Sequence, residues 1–147
     1  MRSDVFVYIS GPITAKDGYI VEENVAVGVR TFLDLIQLGI PAYSPQMTAA
    51  FPSAFNISWE RWMEYDYAVI RRCTHMLMLP RWVWSKGAIR EKEYAKSIGL
   101  PIAYSIDDLL KMLLVKAASS PSLADGPEQP HQRTQESSEV ASQDLPE

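Results

Sequence analysis

The sequence predicts a small doubly wound α/β domain, a sheet of about four to five parallel strands flanked by helices. Three observations carry this reading. Short apolar runs, the β-branched and aromatic VFVYI over residues 5–9 and HMLML over residues 75–79, read as buried strands. Segments between them repeat apolar residues at three- and four-residue spacing, the mark of an amphipathic helix. Strand and helix patterns then alternate along the chain, which right-handed crossovers turn into parallel pairing.

Each element has its own signal. The first strand, residues 5–9, is closed by Gly11-Pro12. A helix over about residues 22–38 presents Val25, Val29, Phe32, Leu33 and Ile36, and Gly39 supplies its stop. Residues 40–43 read as the second strand, ended by Ser44-Pro45, with a long loop after it. Ser58 has the character of an N-cap for a helix running to about residue 72. The third strand, 75–79, ends at Pro80. A loop with Trp82 and Trp84 follows, then a small-residue turn at Ser85 and Gly87 and a helix over 86–98 with Glu91 near its first turn. Gly99 stops that helix, and residues 102–104 form the fourth strand. Ser105 and Asp108 have capping-box spacing for a last helix through residue 115.

Composition bounds the domain. Of 147 residues with net charge −4, the stretch from residue 117 onward contains no Phe, Tyr, Trp or Ile and is dominated by Ser, Gln, Pro and Glu. Such a segment buries too little apolar surface to offset its ordering entropy. The expectation is therefore a folded domain over 1–116 and a disordered acidic, polar tail over 117–147. Without the tail the body is nearly neutral, so the acidic balance does not describe the functional surface. The lone Cys73 excludes an internal disulfide and a cysteine-rich metal site. No metal-ligand spacing is present, and neither His75 nor His131 has a partner in sequence for histidine chemistry. No apolar run has membrane-spanning length and the first residues lack a signal-peptide core, so a soluble cytoplasmic protein is expected.

In a doubly wound sheet the loops after the strands share one rim, where ligands bind. That rim collects Tyr8, Ser10, Gly11, Pro12 and Thr14 from the first loop, residues 43–46 from the second, and Trp82, Ser85, Gly87 and Glu91 from the third. Asp66 joins them if Trp62, Val69 and Ile70 bury the opposite side of its helix. Every one of these has a plainer reading. SGPIT suits a tight turn, Glu91 a surface acid beside Arg90 or Lys92, and Asp66 a surface acid near Arg71 or Arg72. The tryptophans suit subunit packing as well as stacking on a planar ligand. Glu93, two residues from Glu91, points to the other helix face, so only one of the two acids enters a given site.

YISGPIT, Asp66 and SKGAIREKEYA, in that order and spacing over about residues 5–104, together resemble the nucleoside 2-deoxyribosyltransferase superfamily, including its 2′-deoxynucleoside 5′-phosphate N-hydrolase branch. The resemblance implies a flavodoxin-like fold and cleavage of an N-glycosidic bond, with no cofactor and no metal. It implies Glu91 as nucleophile, Asp66 as the acid assisting the leaving base, and Tyr8 as the residue orienting the nucleophile. Ser10, Gly11, Pro12, Thr14, Trp82, Ser85 and Gly87 become substrate-binding candidates. Ser85 stands where the phosphate-cleaving hydrolases carry a phosphate-binding serine, whereas Pro12 and Thr14 replace a serine and an arginine of those enzymes. A homodimer or larger assembly is implied, because the family's sites are completed by a neighbouring subunit.

The chemistry is coherent on its own terms. Breaking a C1′–N bond develops an oxocarbenium-like sugar that a carboxylate stabilises or captures, and the leaving base needs a proton from a second acid. The expected function is thus an N-glycosidase acting on a (deoxy)nucleoside or its 5′-monophosphate. Deoxyribosyl transfer, a nucleotide-binding module without turnover, and an assembly protein packing through its tryptophans are the alternatives. None of these readings requires nucleic acid or a membrane.

Overall fold

The computed structural model describes residues 1–14, 21–51 and 56–119. Four parallel strands, β1 (Val7–Ser10), β2 (Ala42–Tyr43), β3 (His75–Met78) and β4 (Ile102–Ala103), form one sheet in the order β2-β1-β3-β4. Val7 pairs with His75 and Ser10 with Met78, and Val7 also faces Ala42 across the other edge of β1. The fold is a small flavodoxin-like α/β sheet.

Side-chain alternation along β1 and β3 sorts the core into two layers. Val7, Ile9 and Leu77 point to one face, which is covered by α1 (Val21–Gln37) through Leu35 and by α4 (Ile106–Ser119) through Leu109 and Leu113. Tyr8, Met76 and Met78 point to the other, covered by α2 (Trp59–Ile70) through Ile70 and by α3 (Lys86–Ser97) through Ala88 and Ala95. Cys73 belongs to this second layer, and burial pushes its thiol up to about 12, so it is a small hydrophobe rather than a nucleophile.

Local chemistry fixes the helix ends. Ser58 Oγ accepts from the Arg61 amide at 3.2 Å and Ser85 Oγ from the Ala88 amide at 3.2 Å, so both are N-caps. Gly39 and Gly99 both adopt φ +72°, and the amides after them, Ile40 and Leu100, bond back to Leu35 and Ala95 at 2.9 Å, closing α1 and α3 in the same left-handed manner. Ser105 caps α4, and Asp108 reaches back to the Tyr104 amide at 3.2 Å.

Several expectations shift. The strands are shorter than their apolar runs, although flanking Leu79 still bonds through its amide to the Ser10 carbonyl at 2.8 Å. A 3-10 turn, Pro45–Ala50, occupies part of the long loop after β2. In α1 the buried stripe is Asn24, Gly28 and Leu35, whereas Leu33 and Ile36, expected inward, are 52% and 36% exposed. The helix is rotated because Gly28 lets it lie close against the turn after β2. The last helix continues to Ser119, past residue 115. Most of the expected tail, from residue 120, falls outside the described residues. Among those described, no helix is long and apolar enough to cross a membrane.

Candidate active site

The carboxyl ends of β1 and β3 lie side by side in the sheet, with β1 leading outward to β2 and β3 to β4. This is the switch point at which such sheets open a crevice. A cavity of about 720 Å³ sits there, within the usual range for small-molecule sites. Its walls are the loop after β1 (Gly11, Ile13, Thr14), the turn after β2 (Pro45, Thr48), α2, and the start of α3 with Ser85 and Gly87.

Two carboxyls enter it from separate helices. The buried stripe of α2 is Met63, Asp66 and Ile70, and that of α3 is Ala88, Glu91 and Ala95. Asp66 and Glu91 are each 6% exposed and both line the cavity. Glu91 is therefore in the second turn of α3 rather than at its opening. Asp66 lies on the same side as Ile70, and Trp62 lines the cavity too, so the expected opposite apolar side is not what aims it. Glu93 is exposed on the other face of α3.

Both oxygens of Glu91 are held. Tyr8 Oη donates to Oε1 at 3.1 Å, and Ser10 Oγ donates to Oε2 at 2.5 Å. Tyr8 and Ser10 are two apart on β1, so both project to the face that α3 covers. Neighbouring cations are directed elsewhere: the Arg90 guanidinium stacks 4.8 Å from the Trp59 ring centre, and Lys92 Nζ lies 3.8 Å from that of Trp82. Among the described residues no cation pairs with Glu91 or Asp66.

This environment perturbs both acids. Burial raises the Glu91 pKa well above the carboxylate range and the charge of Asp66 raises it further, while the Ser10 and Tyr8 hydroxyls pull it partly back. Asp66 is raised by burial and partly lowered by Tyr8 and Glu91. Its Oδ1 is buried with no hydrogen-bond partner among the described residues. Two interacting carboxyls in this setting retain one proton between them at pH values where free carboxyls are ionised. The Tyr8 phenol is raised by burial and then by Glu91, so it remains a neutral donor.

The remaining candidates separate. Thr14, Ser85 and Gly87 line the cavity, with Ser85 also capping α3. Ser10, expected to bind substrate, is fully buried and its hydroxyl is committed to Glu91. Gly11 does line the cavity, but its glycine is required elsewhere: a Cβ there would come within 2.6 Å of Leu79 Cβ. Pro12 and Trp82 are outside the lining. Trp82 packs under Lys92 and against Tyr104 at 6.2 Å between ring centres, whereas Trp59, Trp62 and Trp84 form the aromatic wall that the sequence reading assigned to Trp82. Among the described residues no group of three or more His, Cys, Asp or Glu converges as a metal site.

The family model described as a domain of unknown function, DUF4406, matches residues 5–104, which span β1 through β4 and every residue of the carboxyl pair's setting. The chain belongs to the DUF4406 family. A search of curated proteins finds no match. In this DUF4406 domain the matched segment thus contains the cavity, both acids and the hydroxyls that hold them.

Proposed function

We propose that this DUF4406 domain cleaves the base–sugar bond of a (deoxy)nucleoside or its 5′-monophosphate, with Glu91 as nucleophile. The observation that carries the reading is the meeting of Asp66 and Glu91 in one cavity, perturbed by each other and served by one tyrosine. Resemblance of YISGPIT, Asp66 and SKGAIREKEYA to the nucleoside 2-deoxyribosyltransferase superfamily supports the same assignment.

The free site holds the shared proton on Glu91, which burial raises further than Asp66. With substrate bound that proton passes to Asp66, and an oxygen of ionised Glu91 then attacks C1′, or stabilises the positive charge there, as the C1′–N bond breaks. The bond's electron pair leaves with the base, and Asp66 supplies the proton that neutralises it. Asp66 Oδ1, which has no hydrogen-bond partner among the described residues, is the oxygen free for this transfer. Water then attacks C1′, gives its proton to Asp66 and frees Glu91. Tyr8 and Ser10 hold the nucleophile in a fixed orientation, and the indoles of Trp59, Trp62 and Trp84 cover the planar base. Two acids with separate tasks are what an enzyme needs to run both steps near neutral pH.

Incubation with a panel of nucleosides and 5′-monophosphates, followed by chromatography, should detect free base. Glu91→Gln should lower the rate by about 10³-fold or more while the fold persists. Full activity in that variant rejects Glu91 as nucleophile. Adding a second free base distinguishes transfer from hydrolysis by the appearance of an exchanged nucleoside. Thermal stabilisation by nucleotides without any base release marks a binding module instead.

The proposal includes a homodimer or larger assembly. Trp84 (53% exposed) lines the cavity and Phe51 (66%) lines an adjoining hollow that shares Thr48, Ile57 and Trp62 with it, an apolar surface that suits coverage by a second copy. Light scattering on the full chain checks this, and a monomer at micromolar concentration counts against it.

A further inference from the structure

Two buried side-chain amides hold the loop after β1 from behind. Gln46 has no exposed surface; its Nε2 donates to the Gly11 carbonyl at 3.0 Å, and its Oε1 accepts from Ser44 Oγ at 2.8 Å. Asn24, 5% exposed on α1, directs Nδ2 to the carbonyls of Thr14 at 3.3 Å and Ile13 at 3.5 Å. The three carbonyls belong to Gly11, Ile13 and Thr14, the residues through which this loop lines the cavity. Gln46 itself does not line it.

Space for this amide is made at the expense of α1. A Cβ on Gly28 would lie 2.4 Å from Gln46 Cγ and 2.6 Å from its Cβ, so that helix position must remain bare while Gln46 occupies its site. An aliphatic residue of similar length would fill the same volume without burying an amide. The polar group is accounted for by its two hydrogen bonds, one of which ends on the residue that follows Ser10, the donor to Glu91 Oε2.

We infer that Gln46, seconded by Asn24, is a positioning residue of this site: it pins the Gly11 carbonyl and so fixes the first loop relative to Glu91. Gln46 joins the loops after β1 and β2, two walls that, among the described residues, no strand pairing connects beyond Tyr8 and Tyr43. Its effect on catalysis rests on the glycosidase reading; the clamp does not.

Hydrogen exchange read by mass spectrometry, alongside base release, tests this in the full chain. In Gln46→Leu, amides of residues 10–14 should exchange faster by about tenfold, while β3 and α4 exchange as before. Base release should fall on the order of tenfold through kcat, with KM little changed. Gly28→Ala, which displaces Gln46, should reproduce the fast loop. The double variant Gly28→Ala/Gln46→Gly removes every Gln46 carbon that a Cβ at position 28 would meet, so its melting temperature should recover relative to Gly28→Ala while the loop stays fast. Unchanged loop exchange in Gln46→Leu, or a slow loop in the double variant, overturns the clamp. A fast loop with unaltered kcat overturns its role in the reaction. If the wild-type chain releases no base from any substrate, the glycosidase reading fails, and the exchange results alone decide the clamp.

Discussion

Glu91 lies between Ala88 and Ala95 on the buried stripe of α3, where an apolar residue would stabilise the fold more. Its raised pKa, and that of Asp66, mean that the folded state holds their proton more tightly than the unfolded chain does. The sign follows from linkage: their contribution is most favourable below the ordinary carboxylate pKa of about 4 and is lost as pH rises through the raised values. Glu91→Gln should therefore be more stable than the wild type at pH 8, by roughly 1–2 kcal/mol, with the gain vanishing towards pH 4. Melting curves across that range check it; a variant less stable at every pH contradicts the buried-acid description. Asp66→Asn tests the other acid. It should slow release of an ordinary base by about 10²-fold or more, yet scarcely affect a nucleoside whose base is already a good leaving group. Equal losses on both substrates would deny Asp66 the proton. At this scale the convergence of Glu91, Asp66 and Tyr8, though not their roles, was legible from sequence, because rim position and motif agreed. Trp82 was mistaken for Trp84 because residues two apart in one 3-10 turn face different ways, and nothing local says which faces the cavity. Gly11, a substrate-binding candidate by motif, does line the cavity, but the contact that requires glycine there is with Leu79, which the sequence does not reveal.

Among the elements, α2 and α3 each deliver one acid, and each is started by a serine cap. Only the cap of α3 also lines the cavity. Ser58→Ala and Ser85→Ala should both lower stability by about 1 kcal/mol in denaturant titrations. KM should rise in Ser85→Ala alone; an equal change in both would show that Ser85 is a cap and nothing more. The turn into α3 is itself unusual, since Arg81, three residues past the end of β3, takes φ 65°, a conformation costing about 1–2 kcal/mol for a residue with a side chain. Caps, glycine stops and alternation were readable because they depend on neighbours in sequence. The rotation of α1 was not, because apolar residues on both of its sides satisfy the same periodicity and only contact with Gln46 selects Gly28.

Over the whole molecule, the order β2-β1-β3-β4 brings loops far apart in sequence onto one rim, and the site exists only once that order is formed. Doubly wound topology was legible from element order. The roles of Ser10, Gln46 and Trp59 were not, since each depends on a partner that only the folded sheet supplies. Residues 120–147 contain no aromatic residue and lie beyond the matched segment, so a chain ending at Ser119 should keep its melting temperature and activity. A fall of more than a few degrees would show that those residues dock on the domain. The central assignment, that Glu91 is the nucleophile, is tested most directly by trapping its product. Rapid quenching during turnover, proteolysis and peptide mass spectrometry should find a sugar adduct on the peptide containing Glu91, absent in Glu91→Gln. Rapid base release with no adduct, or an adduct on another residue, would contradict it.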